Sequence, residues 1–373
     1  MKADNWLDRF LFTEYATAPE TLAVYRMIYA LCVLLIYLPQ HLWVSDFPDS
    51  FFDPPFGLAL LFSGFPSHGF LVALNGLLIV AACLLLAGYL TRWAAITVGV
   101  LLLAGNAFAY SFGKINNDIL MVLIPLVLQF SGWGDAYAID ARRKPPINPA
   151  RNAWPVALMA LLIGLAMVTA AVPKAATGWL NIHTHAVLGH LLRNMFLVGR
   201  TGGITAAMLS IKSDVFWEAL DYGTVILEAA FLFTVVSSRA FRIVCAMACF
   251  FHFGIALTMQ ISYWPNILAY AVVCCWPTGQ APGWYHSLLS LPGKIRPLVL
   301  SAVSIGLAVL YLALGNPLKT AATRIHPESD AVLGFIVCAI AAGVAAYFLA
   351  RQLRCVMTRF RLDPLAVPDR SHS

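Results

Sequence analysis

The sequence has little charge and no long polar segment. Only 11% of its 373 residues are Asp, Glu, Lys or Arg, whereas 60% are hydrophobic. Soluble globular chains are about a quarter charged and about half apolar. The net charge of +6 comes from basic residues in short loops beside apolar runs, which does not indicate nucleic-acid binding. We therefore predict an all-α, polytopic integral membrane helical bundle with no large soluble domain, embedded in the lipid bilayer.

The sequence also lacks the marks of a secreted or metal-binding chain. Acidic residues interrupt residues 1–21, so no apolar signal-peptide core precedes the first long run, and we expect these residues to be a cytoplasmic segment. Neighbouring cysteines offer too few ligands for a metal. His183, His185 and His190 could resemble a metal cluster, but no Cys or carboxylate lies near them in sequence. We expect no metal and interpret all eight cysteines as small packing residues.

Ten apolar runs have roughly the length of a membrane-spanning helix. The hydrocarbon core of a bilayer needs about 20 residues of helix, and backbone groups in lipid must pair within a helix or a closed barrel. The runs cover residues 22–43, 70–90, 92–112, 116–132, 154–173, 214–236, 240–260, 263–277, 297–315 and 331–351. We predict about ten transmembrane helices, within a range of eight to ten. The run 263–277 is short, so it either spans the membrane or re-enters it.

The basic residues predict an orientation in the cell membrane. If the ten runs alternate, most Lys and Arg residues fall on the side of the N-terminus, and cytoplasmic loops are the ones enriched in these residues. We therefore predict a multi-pass protein with both termini cytoplasmic, including a tail over residues 352–373. Residues 44–69 and 174–213 become the long outer loops, and the second has helical spacing of apolar residues, typical of an interfacial helix.

Costly polar groups gather near the predicted outer side. An ionisable group inside a span costs about 2.5–3.5 kcal/mol on insertion scales, so each needs a partner or a function. The candidates are Asn116, Asn117 and Asp118 before the fourth run, Lys174 after the fifth with Trp179 beyond it, Glu218, Asp221 and Glu228 in the sixth, and His252 in the seventh. The acids share one helix face, and a desolvated lysine can act as a base. We predict an outward-facing polar pocket with Lys174 as its base.

Each candidate also has a purely structural interpretation. Lys174 could extend its ammonium to the membrane surface. Asn117 and Asp118 could cap the fourth helix. Glu228 and His252 could bond to each other between helices. These alternatives stay open at the level of sequence.

In order and spacing, these residues resemble the HTTM family, the membrane-domain family that includes vitamin K-dependent γ-glutamyl carboxylase. The resemblance covers residues 18–278, and we expect an HTTM-like membrane domain over 22–278 followed by two further helices within 279–351. The matching segments are Tyr25-Arg26, Gly88-Tyr89-Leu90-Thr91-Arg92, Asn116-Asn117-Asp118, Gly134–Asp140, Lys174 with Trp179, Glu228, and Phe251-His252.

The resemblance implies an enzyme that is carboxylase-like or a quinol-dependent lyase or oxidoreductase, in a bacterial inner membrane. Its cofactor would be a reduced, vitamin K-like quinone. Its implied catalytic residues are Lys174, Asp118 and His252, and its implied substrate- or cofactor-binding residues are Asn116, Asn117, Trp179, Asp221 and Glu228. Asp118 stands where the carboxylase has histidine, and two apolar runs replace its lumenal domain. We therefore expect a different small-molecule or peptide substrate.

A non-enzymatic function is the alternative. The chain could be a transporter, or a quinone-associated accessory subunit of a membrane complex similar to DoxX proteins. A transporter needs polar groups through the whole bilayer, but the inner halves of the runs are nearly all Leu, Val, Ile and Ala. An accessory subunit predicts a protein partner in the membrane and no activity of its own.

Overall fold

The computed structural model describes residues 5–113, 118–143, 152–274, 282–325 and 329–362. Within these ranges the chain is helical and contains no β-strand. The helices are α1 (Trp6–Arg9), α2 (Pro19–Cys32), α3 (His68–Ala87), α4 (Thr91–Ala109), α5 (Ile119–Leu128), α6 (Ala153–Ala176), α7 (Ala186–Val198), α8 (Thr205–Leu209), α9 (Asp214–Thr234), α10 (Ser238–Met259), α11 (Trp264–Tyr270), α12 (Gly283–Ser290), α13 (Arg296–Leu314), α14 (Pro317–Ile325) and α15 (Ser329–Leu362).

Seven helical segments of the described chain are long and apolar enough to cross a membrane. They are Pro19–Asp46, His68–Ala87, Thr91–Ala109, Ala153–Ala176, Ser238–Met259, Arg296–Ala322 and Val332–Cys355. The prediction of a polytopic helical membrane protein is confirmed. Helices α5 and α11 are shorter, and α9 carries acidic residues along its length. The count of ten spans stays a prediction.

Helices α6 and α9 run antiparallel and define two ends of the bundle. Gly164 of α6 faces the backbone of Phe231 and Leu232, because a Cβ placed on Gly164 would lie 3.6 Å from the Phe231 carbonyl oxygen. This close approach aligns the last turn of α6 with the first half of α9. We name the end that holds Ala176 and Asp214 the upper end, and the opposite end the lower end.

A buried arginine organises the lower end. Arg26 of α2 is fully buried, and its terminal nitrogens donate to the carbonyl oxygens of Trp133 at 2.6 Å, Ala136 at 3.4 Å and Tyr137 at 2.5 Å. Its Nε atom has no hydrogen-bond partner. The guanidinium thus replaces the water that these carbonyl groups lose on burial, and it holds the segment after α5 against α2.

The same segment closes the turn between α3 and α4. Gly88 ends α3 at φ +66°, a left-handed conformation that glycine adopts without strain. A Cβ on Gly88 would lie 2.3 Å from the Cβ of Ala138, so only glycine fits this contact. Asp140 then accepts from the backbone nitrogens of Leu90 and Thr91 at the start of α4, at 3.2 and 2.7 Å.

Helix α11 leads from the upper towards the lower end. It starts just after the end of α10, and the Val273 carbonyl oxygen beyond it accepts from Arg242 Nε, near the start of α10, at 2.8 Å. Farther along the chain, the Tyr285 hydroxyl donates to the Ala138 carbonyl oxygen of the lower end at 3.0 Å. The described helical part of this run, Trp264–Val273, is shorter than the seven candidate spans, and both the spanning and the re-entrant interpretation stay predictions.

The C-terminal helices belong to the same bundle. Helix α13 packs along α3, and α15 packs along α10. Asn316 is 2% exposed and joins the turn between α13 and α14 to the segment that follows α2. Its Nδ2 atom donates to the carbonyl oxygens of Leu34, Leu35 and Leu38 at 3.2, 2.9 and 2.8 Å. The C-terminal helices therefore pack against the preceding helices, and the domain division near residue 278 stays a prediction.

Candidate functional site

A lysine–glutamate pair lies between α6 and α9. Lys174 Nζ donates to Glu228 Oε1, and the two side chains are 25% and 5% exposed. The ammonium also lies 5.3 Å from the centre of the Trp179 ring, within cation–π range. The Lys174 ammonium therefore has Glu228 as its partner in the described structure. The pair is neutral overall, which lowers the cost of burying either charge.

A histidine on α10 extends the cluster. His252 is buried, and its Nε2 atom lies 2.9 Å from the Tyr270 hydroxyl oxygen, which donates to Met167 Sδ at 3.4 Å. The His252 ring stacks on Tyr270 at 5.7 Å and lies 5.1 Å from the Tyr263 ring. Lys174 and His252 are within electrostatic range of each other. No hydrogen bond joins Glu228 to His252 in the described structure, where Glu228 bonds to Lys174 and His252 bonds to Tyr270.

Three polar atoms of this cluster are buried without a partner in the described structure. They are Glu228 Oε2, His252 Nδ1 and Asn266 Oδ1. Asn266 is 8% exposed and shares a face of α11 with Tyr263 and Tyr270, because these positions are three, four and seven residues apart. Buried polar atoms are normally hydrogen-bonded. The unpaired atoms of Glu228, His252 and Asn266 therefore indicate a candidate place for a hydrogen-bonding ligand.

Asp221 lies on the same helix as Glu228 but is fully bonded. It is completely buried, and its two carboxylate oxygens accept from the backbone nitrogens of Ala186 at 2.6 Å and Val187 at 2.7 Å. These are the first residues of α7, whose unpaired amides and positive end favour a carboxylate. Asp221 thus anchors α7 to α9, and its role as a binding residue stays a prediction.

One loop histidine, His185, contacts two acids of α9. His185 Nδ1 lies 3.0 Å from Glu218 Oε1, and His185 Nε2 lies 3.4 Å from Asp214 Oδ1. The His190 ring packs 5.4 Å from the ring of Trp179, which itself covers Lys174. Helix α7 therefore rests over the upper end of the cluster. Among the described residues there is no group of three or more side chains arranged to hold a metal ion.

Asp118 belongs to a different group of polar residues. It occupies the N-cap position of α5 without making a capping bond, and it accepts from the Tyr110 hydroxyl at 2.9 Å. Nearby, Asn106 Oδ1 receives the Tyr37 hydroxyl at 2.5 Å and lies 2.9 Å from His41 Nε2. The catalytic role of Asp118 stays a prediction, and Asn116 and Asn117 lie outside the described residues.

Helix α11 lies between these two groups of side chains. The Tyr263 ring faces His252, whereas the next ring, Trp264, lies 6.3 Å from Tyr37. Sequence reasoning did not select Tyr263, Asn266 and Tyr270 as site residues, because the short run was weighed only as a span or a re-entrant segment. Polar and aromatic residues recurring three, four and seven positions apart were the available signal.

The long apolar helices define a polytopic helical membrane protein, and the Lys174–Glu228 ion pair is buried in its upper half. The HTTM domain model matches residues 15–278, which is more than half of the chain. The chain therefore belongs to the HTTM family, as the order of its motifs indicated. Comparisons with curated proteins and with solved structures found no match.

Proposed function

We propose that this HTTM protein is an enzyme that binds a hydroxyl-bearing, quinol-like molecule at the Lys174–Glu228 pair and removes a proton from it. The observation that carries the proposal is the buried, neutral ion pair next to unpaired polar atoms. A reduced quinone fits this acceptor set, because its hydroxyl groups can donate to Glu228 Oε2 and to His252 Nδ1. When bound, it would supply acidic ring hydroxyls.

The proton acceptor is the pair as a whole. Lys174 is already protonated when it is bonded to the Glu228 carboxylate, so the lone pair that can receive a further proton is on Glu228 Oε2. When this oxygen takes the hydroxyl proton, Glu228 becomes a neutral acid and Lys174 keeps its charge. The Lys174 ammonium then stabilises the negative charge that develops on the bound molecule, in a site of low dielectric.

His252, Tyr270 and Asn266 position the bound molecule. The Tyr270 bond fixes the orientation of the His252 ring, so Nδ1 keeps one direction whichever tautomer is present. Trp179 covers Lys174 and limits the entry of water. The predicted excess of basic residues at the lower end supports a pocket that opens to the outside of the cell membrane.

Binding of 1,4-dihydroxynaphthalene to purified protein in nanodiscs tests this proposal. We expect Glu228→Gln and Lys174→Met each to weaken binding at least about tenfold, because a charge-assisted hydrogen bond is worth roughly 1.5–3 kcal/mol. Asp214→Asn is the matched control, since Asp214 is an exposed acid of the same helix. Calorimetry in buffers of different ionisation enthalpy should detect proton transfer. Equal affinities of all variants would refute the proposal.

A further inference from the structure

An arginine without a counter-ion lies at the upper mouth of the pocket. Arg200 follows the end of α7, where its backbone nitrogen bonds to the Asn194 carbonyl oxygen at 3.1 Å. Its Nε atom is buried and has no hydrogen-bond partner. In the described part of the chain, its guanidinium forms no ion pair. A half-buried guanidinium that is left unpaired indicates a missing anion.

The segment that carries Arg200 is fixed to the end of α10. The Ile204 backbone nitrogen bonds to the Leu257 carbonyl oxygen at 3.2 Å, and the Thr205 hydroxyl donates to the Thr258 carbonyl oxygen at 2.6 Å. Gly203, at φ +62°, allows this approach, because a Cβ there would collide with the Leu257 carbonyl oxygen. Arg200 is therefore held beside the residues that lead from α10 into α11.

Tyr263 connects Arg200 to the centre of the pocket. Gly202, two residues after Arg200, packs against the side chain of Gln260, which precedes Tyr263 by three residues, and the Tyr263 ring lies 5.1 Å from the His252 ring. The neighbouring acids of α9 are already engaged, Asp221 by backbone amides of α7 and Glu218 by His185. In the described part of the chain, none of these carboxylates pairs with Arg200, so its guanidinium is available to an anion.

We propose that Arg200 binds a carboxylate or phosphate group at the mouth of the pocket, so that the molecule bound there is an anionic amphiphile. This inference rests on the proposed function, which places the hydroxyl end of the bound molecule at the Lys174–Glu228 pair. A planar guanidinium offers a fork of donors that matches either anion. The anion belongs either to the bound molecule itself or to the headgroup of an adjacent lipid.

A matched pair of ligands tests the first source. In nanodiscs of phosphatidylcholine only, we expect 1,4-dihydroxy-2-naphthoate to bind about tenfold to a hundredfold more tightly than 1,4-dihydroxynaphthalene, which lacks the carboxylate. Arg200→Gln should abolish this preference, and Arg200→Lys should retain part of it. Arg193→Gln should retain all of it, because Arg193 is exposed on α7.

Native mass spectrometry with added phosphatidylglycerol tests the second source. Retention of this lipid that is lost in Arg200→Gln and kept in Arg193→Gln assigns the anion to a headgroup. If neither the carboxylate preference nor the lipid retention depends on Arg200, the inference is wrong. If 1,4-dihydroxynaphthalene fails to bind the wild-type protein, the proposed function fails, while the lipid measurement still decides the role of Arg200.

Discussion

The two ends of the bundle bury a basic side chain in different ways. At the lower end, both terminal nitrogens of Arg26 bond to backbone carbonyl oxygens of one segment. At the upper end, Lys174 bonds to a carboxylate whose second oxygen is unpaired. The hydrogen bonds of Arg26 are nearly all made within the protein, whereas the Lys174–Glu228 pair leaves a carboxylate oxygen that another molecule could bind. Completeness of bonding thus distinguishes a structural polar group from a candidate functional one.

The largest expected loss of unfolding free energy comes from a substitution at the lower end. Arg26→Met should destabilise the protein by about 3 kcal/mol or more, because it strands the carbonyl groups of Trp133, Ala136 and Tyr137 at roughly 1–3 kcal/mol each. Reversible unfolding in mixed micelles measures the change. Arg92→Met is the control, since Arg92 is exposed near the same end. An equal, small effect of both substitutions would show that Arg26 is not the anchor.

The Lys174–Glu228 pair should behave differently under double substitution. Lys174→Met alone should cost about 2 kcal/mol of unfolding free energy, since it leaves a buried carboxylate without its partner. The double variant Lys174→Met with Glu228→Met should recover most of that loss, because no unpaired charge remains. The same unfolding assay, applied to both single variants and the double variant, gives the coupling energy of the pair. Additive losses would indicate that the pair is part of the structural core, as Arg26 is.

Asp221 is expected to resemble Arg26 more than its neighbour Glu228. Asp221→Ala removes both bonds to the start of α7 and should cost about 1–2 kcal/mol, as the loss of a helix cap does. Hydrogen exchange should show faster exchange at Ala186 and Val187. If the Asp221→Ala substitution left the protection of these two amides unchanged, Asp221 would not anchor α7.

The smallest expected effect on stability is at His252. His252→Phe keeps a ring against Tyr270, loses one hydrogen bond worth about 1 kcal/mol and removes an unpaired buried nitrogen. We expect the free energy of unfolding to change by less than about 1 kcal/mol, while binding of 1,4-dihydroxynaphthalene falls severalfold. A large loss of stability with full binding would reverse the distinction between the two ends.

Much of the candidate site was accessible from the sequence, but its pairing was not. Lys174 and Glu228 stood out because ionisable residues are costly in apolar runs. The sequence could not predict that Lys174 and Glu228 pair with each other, since a bond between Glu228 and His252 was an equally good interpretation. Tyr263, Asn266 and Arg200 were passed over because a tyrosine, an asparagine or a loop arginine is ordinary at the end of a span.

The sequence by itself determined that the chain is a helical membrane bundle of the HTTM family. Its apolar runs are long, and a backbone in lipid must satisfy its own hydrogen bonds. Only the tertiary structure decided which buried polar groups have hydrogen-bond partners within the protein and which do not. That depends on distances between helices far apart in the chain, such as the approach of α6 to α9 at Gly164 that lets Lys174 reach Glu228.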